Sequence, residues 1–432
     1  MTDISAALES IARRRPMLID LGLERPIAAL EKLGSPHQKL PPVIHVAGTN
    51  GKGSTIAYMR AILEAAGHSV HVYTSPHLVR FNERIVLAGE EISDAALIDV
   101  LTRCDEVVGE QSLTYFELIT CAAFLAFSET PADFLLLEVG LGGRLDTTNV
   151  IDQPLATVVT PIALDHQDKL GSSLEQIAKE KAGIFRKNVP AVIAPQTPEA
   201  ITALEQCAIK VGAKLFAHGQ DWNVQAEQGR LIYQDNDSLK DLSPPRLLGA
   251  HQVTNAGVAI AALEAAGVVI GDDQISDGVE RAYWPARLQR LTSGPLVEHL
   301  SRDVGSDSEL WLDGGHNPHA ARAVAAAFSS LEERASAELI LIVGMQSGKD
   351  MVGYFSAFES LAAAVFAVTA DHNGAALAQD VAEAAKKAGI PARGCASLEE
   401  AMELAIDDGR GPLRLLIGGS LYLAGEVLAT HA

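Results

Sequence analysis

Cysteine is scarce in this chain: four of 432 residues, Cys104, Cys121, Cys207 and Cys395, at spacings that suit neither disulfide pairs nor a metal site. A disulfide framework is excluded, and the expected compartment is a reducing cytoplasm. Aromatic side chains are few, 5% against 48% hydrophobic residues, as in an α/β enzyme built from aliphatic layers. Long apolar runs are missing too. Residues 116–127 fall short of the ~20 that a membrane helix needs, and 253–270 are interrupted by Asn255 and Glu264, so no membrane partner is expected. Residues 1–10 carry acids and no apolar core, so no secretory leader is expected either. Positive charge is in deficit. With 34 basic against 55 acidic residues the net charge is −21, which argues against a nucleic-acid surface and leaves anion binding to local clusters.

What is present starts with length. A chain of 432 residues exceeds one ordinary core, so two or three domains are expected. The most informative stretch is residues 43–67: an apolar run Val-Ile-His-Val-Ala after Pro41-Pro42, then Gly48-Thr49-Asn50-Gly51-Lys52-Gly53-Ser54-Thr55, then Ile56, Met59, Ile62, Leu63 and Ala66 at helical spacing. That reads as strand, glycine loop, helix. Glycines let the backbone approach a phosphate closely, the helix start adds partial positive charge, and Lys52 adds a full one. The ordinary phosphate loop would have Gly at 46 and a hydroxyl at 53, where Val46 and Gly53 stand, so this is a variant with its hydroxyl one place later.

Along the chain, residues 4–14 have helical spacing, and a second helix leads to Gly34. Residues 70–73 read as a strand ending at Thr74-Ser75-Pro76-His77. Ser93 caps one helix, Thr114 opens another, and Ser172-Ser173-Leu174-Glu175 reads as a capping box for a helix that Gly183 ends. The run 134–137 reads as a strand buried on both faces, ending at Glu138, and 156–160 repeats the design before Asp165-His166. Ligands of open α/β sheets bind at the carboxyl edge, where Glu138, His166 and Lys52 are expected to converge. Taken alone, Glu138 reads equally as an exposed acid or a Mg²⁺ ligand, His166 as a loop histidine or a ligand, and Lys181 as a cation complementing a helix dipole. A hairpin is expected around Gln228-Gly229, as an edge ornament. Turn residues cluster at Ser293-Gly294-Pro295, where the domain boundary is placed: a larger domain with a phosphate loop and parallel sheet over 1–294, a smaller α/β domain over 295–432. In the second domain Asp313-Gly314-Gly315-His316-Asn317-Pro318 follows a strand; Asn317-Pro318 suits a helix start, while Asp313 and His316 are left unexplained by capping.

These segments carry a resemblance. Gly48 through Thr55, Thr74-Ser75-Pro76-His77-Leu78, Arg80-Phe81-Asn82-Glu83-Arg84-Ile85, Leu113-Thr114-Tyr115-Phe116-Glu117, Glu138-Val139-Gly140-Leu141-Gly142-Gly143-Arg144-Leu145-Asp146-Thr147-Thr148-Asn149, Leu164-Asp165-His166, Glu180-Lys181-Ala182-Gly183-Ile184 and the Asp313 segment stand in the order seen in the folate branch of the Mur ligase superfamily. The resemblance covers nearly the whole chain. It implies a P-loop nucleotide-binding domain followed by a Rossmann-like ligase domain. It also implies ATP-dependent amide formation, in which a folate-type carboxylate becomes an acyl phosphate that the amine of L-glutamate displaces.

Residue by residue, the resemblance assigns Gly48, Thr49, Asn50, Gly51, Lys52, Gly53, Ser54 and Thr55 to ATP phosphates, with Asn255 and Arg287 for adenine and phosphate, Asp313 for ribose and His316 for phosphate. It gives Ser75, Glu138 and His166 to Mg²⁺ and leaves room for a monovalent cation. Arg84, Phe116 and Asp146 form the implied substrate set; Phe116 and Asp146 resemble the pair that stacks on and hydrogen-bonds the pterin. Lys181 resembles a lysine that this family carbamylates, and Lys52, Lys181 and His316 form the implied catalytic set. The implied partners are dihydropteroate, folates and L-glutamate, acting on a monomer. Departures are Gly315 where Ala is common, and Pro285-Ala286-Arg287-Leu288-Gln289 where Pro-Gly-Arg-Phe is usual. The alternatives are a monofunctional folylpolyglutamate synthase, a Mur-type ligase acting on peptidoglycan precursors, and a P-loop kinase or regulatory NTPase.

Overall fold

Aliphatic runs bounded by glycine or proline form the interior of an eight-stranded sheet in the computed structural model, which describes residues 4–15, 20–109, 113–304 and 307–431. Its order is Glu90–Glu91, Ile85–Leu87, Val70–Tyr73, Phe134–Glu138, Val43–Ala47, Ala156–Val159, Pro190–Ile193, Lys214–Ala217. The last six are mutually parallel and the first two antiparallel at one edge. Every residue of Val43–Ala47 and of Phe134–Glu138 is buried, as strands covered on both faces require. Register decides the site. Val46 lies opposite Glu138 and Ala47 opposite Val159, so the glycine loop, the Glu138 carboxylate and the segment after Val159 leave the sheet at one edge.

Helix starts follow local side-chain chemistry. Ser93 Oγ accepts from Ala96 N at 3.3 Å to open Asp94–Val108, and a Thr114/Glu117 capping box opens Tyr115–Glu129. The box at the start of Leu174–Lys181 sits one residue later than expected. Ser173 accepts from Gln176 N and Gln176 Oε1 accepts from Ser173 N, because the amide side chain reaches back where Glu175 points elsewhere. Gly183 is a second correction: it lies inside a 3₁₀ turn, Ala182–Ile184, and its lack of a side chain serves close packing, since a Cβ there would lie 2.3 Å from Arg144 Cα.

The expected hairpin is Trp222–Glu227 with Arg230–Asp235, turning at Gln228 and Gly229, both at positive φ. It is not an ornament on the main sheet: with Leu239–Leu242 it forms a separate three-stranded sheet. The helix Ala250–Ala265 then carries Asn255.

The second sheet has six strands in the order Gln289–Leu291, Glu309–Leu312, Leu413–Gly418, Glu338–Val343, Ala362–Ala367, Ala392–Gly394, parallel except for the first. The chain divides into two units, Met1–Arg246 with Val253–Ala282 and Leu247–Gln252 with Tyr283–Ala432. The division thus falls before the Ser293-Gly294-Pro295 turn, because Gln289–Leu291 pairs with the strand Glu309–Leu312 and Pro295 merely starts a helix, Pro295–Asp303. Among the described residues no helix is long and apolar enough to cross a membrane.

Candidate active site

The glycine loop joins the buried strand Val43–Ala47 to the helix Lys52–Ala65. Gly48 has φ +149, and a Cβ there would lie 1.8 Å from Thr160 Oγ1; Gly51 has φ +88, with Asn255 Oδ1 2.5 Å from where its Cβ would stand. The backbone is braced from below: Thr49 N and Asn50 N donate to Pro161 O at 3.1 and 3.2 Å, and Ala163 N donates to Thr49 Oγ1 at 3.1 Å. Gly51 caps the helix with no side chain, so its first turn keeps amides available to an anion. Ser54 and Thr55 are buried in that turn, and Thr55 Oγ1 has no hydrogen-bond partner among the described residues. Lys52 Nζ stands 3.7 Å from Glu138 Oε1 and 3.4 Å from Thr49 O.

Glu138 is buried at its strand end, and its Oε2 accepts from Ser75 N at 3.1 Å. One carboxylate beside a hydroxyl-bearing residue and a phosphate loop fits a hard divalent cation that keeps phosphate and water among its ligands. Among the described residues no three His, Cys, Asp or Glu side chains converge on a point that could hold a metal ion. The Ser75, Glu138 and His166 set contains only two such side chains, and Mg²⁺ bound with ATP demands no more. His166, with a side chain 44% exposed, takes left-handed backbone at the start of Gln167–Leu170 and places Nε2 4.0 Å from Asp165 Oδ1.

Lys181 is no surface cation at a helix end. It is 4% exposed and its Nζ donates to Gly48 O at 2.8 Å, tying it into the glycine loop. Burial, then the charge of Lys52, lowers its pKa to about 7, so near neutrality much of it is free amine. Gly143 makes this placement possible: a Cβ there would lie 2.9 Å from the carbonyl oxygens of Glu180 and Lys181.

Of the substrate set, Arg84 Nε donates to His77 Nδ1 at 2.9 Å, and its guanidinium carbon lies 5.0 Å from the Phe81 ring centroid. Burial, reinforced by Arg84, lowers the His77 pKa to about 4, so the ring is neutral and free to accept. Phe116 lays its ring against Gly140, where a Cβ would stand 2.4 Å from Cζ. Asp146 faces inward and is 2% exposed: Oδ2 accepts from Leu141 N at 2.9 Å, and Oδ1 from Thr148 N at 3.0 Å and Thr148 Oγ1 at 2.5 Å. Burial pushes its pKa up while these bonds oppose the shift.

In the second unit, Asp313 is buried after Glu309–Leu312, its Oδ2 accepting from Leu288 N at 2.8 Å and its Oδ1 from Gly315 N at 2.7 Å. Arg287 Nη1 donates to Ala286 O at 2.8 Å, between two residues at positive φ, Ala286 and Leu288. His316 Nδ1 lies 3.2 Å from Gly314 O, a carbonyl partner that requires a proton on Nδ1. Asn317 Oδ1 caps Pro318–Arg334 by accepting from Ala320 N at 2.9 Å.

The structure therefore gathers Lys52, Glu138, Ser75, Lys181 and the residues of the glycine loop within hydrogen-bonding or ion-pair reach of one another, and Arg287 and Asp313 through the Ala286–Leu288 segment and Gly314. Sequence reasoning missed the Pro161 to Ala163 brace, Thr160, and the buried pair His45 and Thr148. A polar ring inside the run Val-Ile-His-Val-Ala was the one available signal for the pair.

The Mur ligase middle domain family matches residues 46–263, and the Mur ligase, glutamate ligase domain matches residues 300–421. The dihydrofolate synthase/folylpolyglutamate synthase of Escherichia coli is 34% identical over 95% of this chain and 91% of the relative, and that of Bacillus subtilis 31% over 94% of each. Among solved structures, E. coli FolC in complex with DHPP and ADP superposes with a TM-score of 0.88 at 32% identity, covering 99% of this chain and 97% of that one. The Yersinia pestis bifunctional folylpolyglutamate synthase/dihydrofolate synthase with Mn, AMPPNP and L-glutamate bound gives 0.87 at 32%, covering 99% and 98%. On this identity and coverage, the chain belongs to the dihydrofolate synthase/folylpolyglutamate synthase branch of the Mur ligase family.

Proposed function

We propose that this chain joins L-glutamate to dihydropteroate, giving dihydrofolate, and to folates, giving polyglutamates, at the expense of ATP. The observation that carries the reading is the uncapped helix behind Gly51, with Lys52 3.7 Å from the buried Glu138, in a chain matched end to end by ligases of that name. The acceptor's carboxylate attacks the γ-phosphorus and ADP leaves; the glutamate amine then attacks the acyl carbon, phosphate leaves with the bonding pair, and the amine's proton is lost. Phosphoryl transfer needs little covalent help, so the protein's task is positioning and charge neutralisation. The amides of residues 51–54 and the Lys52 ammonium hold the β- and γ-phosphates, Asn255 and Arg287 the adenine and phosphate, Asp313 the ribose, and His316 a phosphate oxygen. When bound, Mg²⁺ neutralises phosphate charge, held by Glu138, Ser75 and His166. Lys181, a buried amine with a pKa of about 7, is suited to take up CO₂ in its free-amine form as a carbamate with loss of one proton, which places an anion beside Gly48. Phe116 supplies a stacking face for the pterin, Asp146 an acceptor, and Arg84 a positive charge. We take the protein to act as a cytoplasmic monomer with four free thiols.

A second reading, folate extension alone, is favoured by the Lacticaseibacillus casei folylpolyglutamate synthase, 32% identical over 96% of each chain. The test is phosphate release from ATP with each acceptor separately, with and without L-glutamate. Release that requires glutamate with both dihydropteroate and a reduced folate is expected. Release without glutamate would overturn the ligase reading, and failure with dihydropteroate alone would leave the monofunctional enzyme.

A further inference from the structure

His45 is a buried titratable side chain with no part in the chemistry above. It stands in the middle of Val43–Ala47, 1% exposed, where the other four residues are aliphatic and another aliphatic would pack without a polar ring to desolvate. Its Nε2 lies 2.9 Å from Thr148 Oγ1, which lies 2.5 Å from Asp146 Oδ1. The proton order of this chain follows from donor counting. An ionised carboxylate only accepts, so the single hydroxyl proton of Thr148 points at Asp146, and the hydroxyl's lone pair accepts from His45 Nε2–H. Burial, aided by the charge of Arg186, lowers the ring's pKa to about 3, so it is neutral with its proton on Nε2. Donors also converge on Asp146 from Leu141 N and Thr148 N. The carboxylate is thus pinned from three directions, and the remotest pin reaches back to the strand that enters the glycine loop.

We propose that His45 is a positioning residue: acting through Thr148, it holds the Asp146 carboxylate and the loop of residues 140–148 in the geometry that receives the pterin-bearing substrate, without touching that substrate. This rests on the assignment of Asp146 to the substrate site. The consequence is selective, because the relay runs from His45 through Thr148 and ends on Asp146.

Steady-state kinetics of His45→Leu, Thr148→Val and the double variant test the proposal. Each single change is expected to raise KM for dihydropteroate about 3–10-fold, the scale of one net hydrogen bond, with KM for ATP and L-glutamate held within about twofold. The double variant should be no worse than the larger single, since both cut the same relay. His45→Gln, whose amide N–H can reach Thr148, should recover part of the loss. Unchanged KM for dihydropteroate, or an equal rise in all three KM values, overturns the positioning role. Asp146→Ala run in parallel separates the two failures: if it leaves dihydropteroate KM unchanged, the substrate assignment itself is wrong. A neutron structure of the intact wild-type protein gives a readout that no variant's folding can obscure; protons on His45 Nε2 and on Thr148 Oγ1 toward Asp146 are expected, and the reverse order overturns the proposal.

Discussion

In residues 48–55 the left-handed backbone falls on Gly48 and Gly51, whereas in residues 285–289 it falls on Ala286 and Leu288. Both loops carry residues proposed to bind ATP. The first spends its missing side chains on closeness: the space where Cβ atoms would stand is taken by Thr160 Oγ1 and Asn255 Oδ1. The second keeps its side chains as buried anchors and accepts strain of about 1–2 kcal/mol at each non-glycine residue. That strain is offset by hydrogen bonds to the same segment, Gly314 N to Ala286 O at 2.9 Å, Ala286 N to Gln289 Oε1 at 2.9 Å and Leu288 N to Asp313 Oδ2 at 2.8 Å. One loop is built by leaving atoms out, the other by tying a strained backbone down.

The largest effect should come from the charge that the glycine loop presents. Lys52→Ala is expected to lower kcat by about 10³-fold, the scale of losing a preorganised electrostatic contact in the transition state. Stability should change by roughly 1 kcal/mol or less, because the ion pair with Glu138 is partly exposed at the lysine. Near-normal phosphate release would remove the basis for treating this loop as the phosphate site.

Lys181 sharpens the same point, since it binds the glycine loop from behind. Lys181→Ala should lose nearly all ligation, and short carboxylic acids added in solution should restore part of it by standing in for a carbamate. The pH dependence has a definite sign. Free amine reacts with CO₂, and its fraction rises through a pKa of about 7, so bicarbonate should reactivate CO₂-depleted enzyme at pH ~8 and hardly at pH ~6. Linkage adds a stability signature: the folded pKa lies below the ordinary lysine value of about 10.4, so between the two the unfolded chain binds more protons. Without CO₂, wild-type stability should therefore rise across that window, and this slope should vanish in Lys181→Ala. A bare ammonium in an active crystal form would refute the carbamate.

Gly51→Ala exchanges the first loop's device for the second's. A methyl at φ +88 would meet Asn255 Oδ1 at 2.5 Å. A rise of about 10-fold in KM for ATP is expected, with about 1–2 kcal/mol lost in stability. Unchanged KM would mean that the loop tolerates a side chain and that its glycines are not there for close approach.

How far these two loops could be read in advance differs for the same reason. The first is local: strand, glycines, lysine and helix lie within 25 residues, and each signal acts on its neighbours. Caps at Ser93 and Thr114 and the buried run ending at Glu138 were legible on the same grounds. The second depends on partners distant in sequence. Gln289–Leu291 becomes a strand only by pairing with Glu309–Leu312, which is why a turn at Ser293 looked like a boundary. Taken alone, Lys181 looked like a dipole-matching cation because Gly48, whose carbonyl oxygen its Nζ reaches, lies 133 residues upstream. Asp146 was expected to face a ligand, while its inward hydrogen bonds to Leu141 and Thr148 depend on a loop fold that spacing does not encode. The one-residue shift to the Ser173/Gln176 box reflects two adjacent serines of equal capping strength, between which only the long side chain three residues later decides.

The smallest effect is expected when the second loop receives the residue the first would have used. Ala286→Gly removes left-handed strain at φ +54, a gain of about 1–2 kcal/mol. Against it stand one fully buried methyl group, about 0.8 kcal/mol, and the added freedom of glycine in the unfolded chain, about 0.5–1 kcal/mol. The hydrogen bonds at this position use only backbone atoms of residue 286, from Gly314 N and Arg287 Nη1 to its oxygen and from its N–H to Gln289, so glycine keeps all of them. The contributions nearly cancel. Urea unfolding should place the variant within about 1 kcal/mol of wild type, with KM for ATP changed by roughly twofold or less. A loss of about 3 kcal/mol would show that the buried methyl, rather than the hydrogen bonds to residues 287, 289 and 314, holds this segment, and the contrast between the two loops would then rest on packing instead of backbone strain.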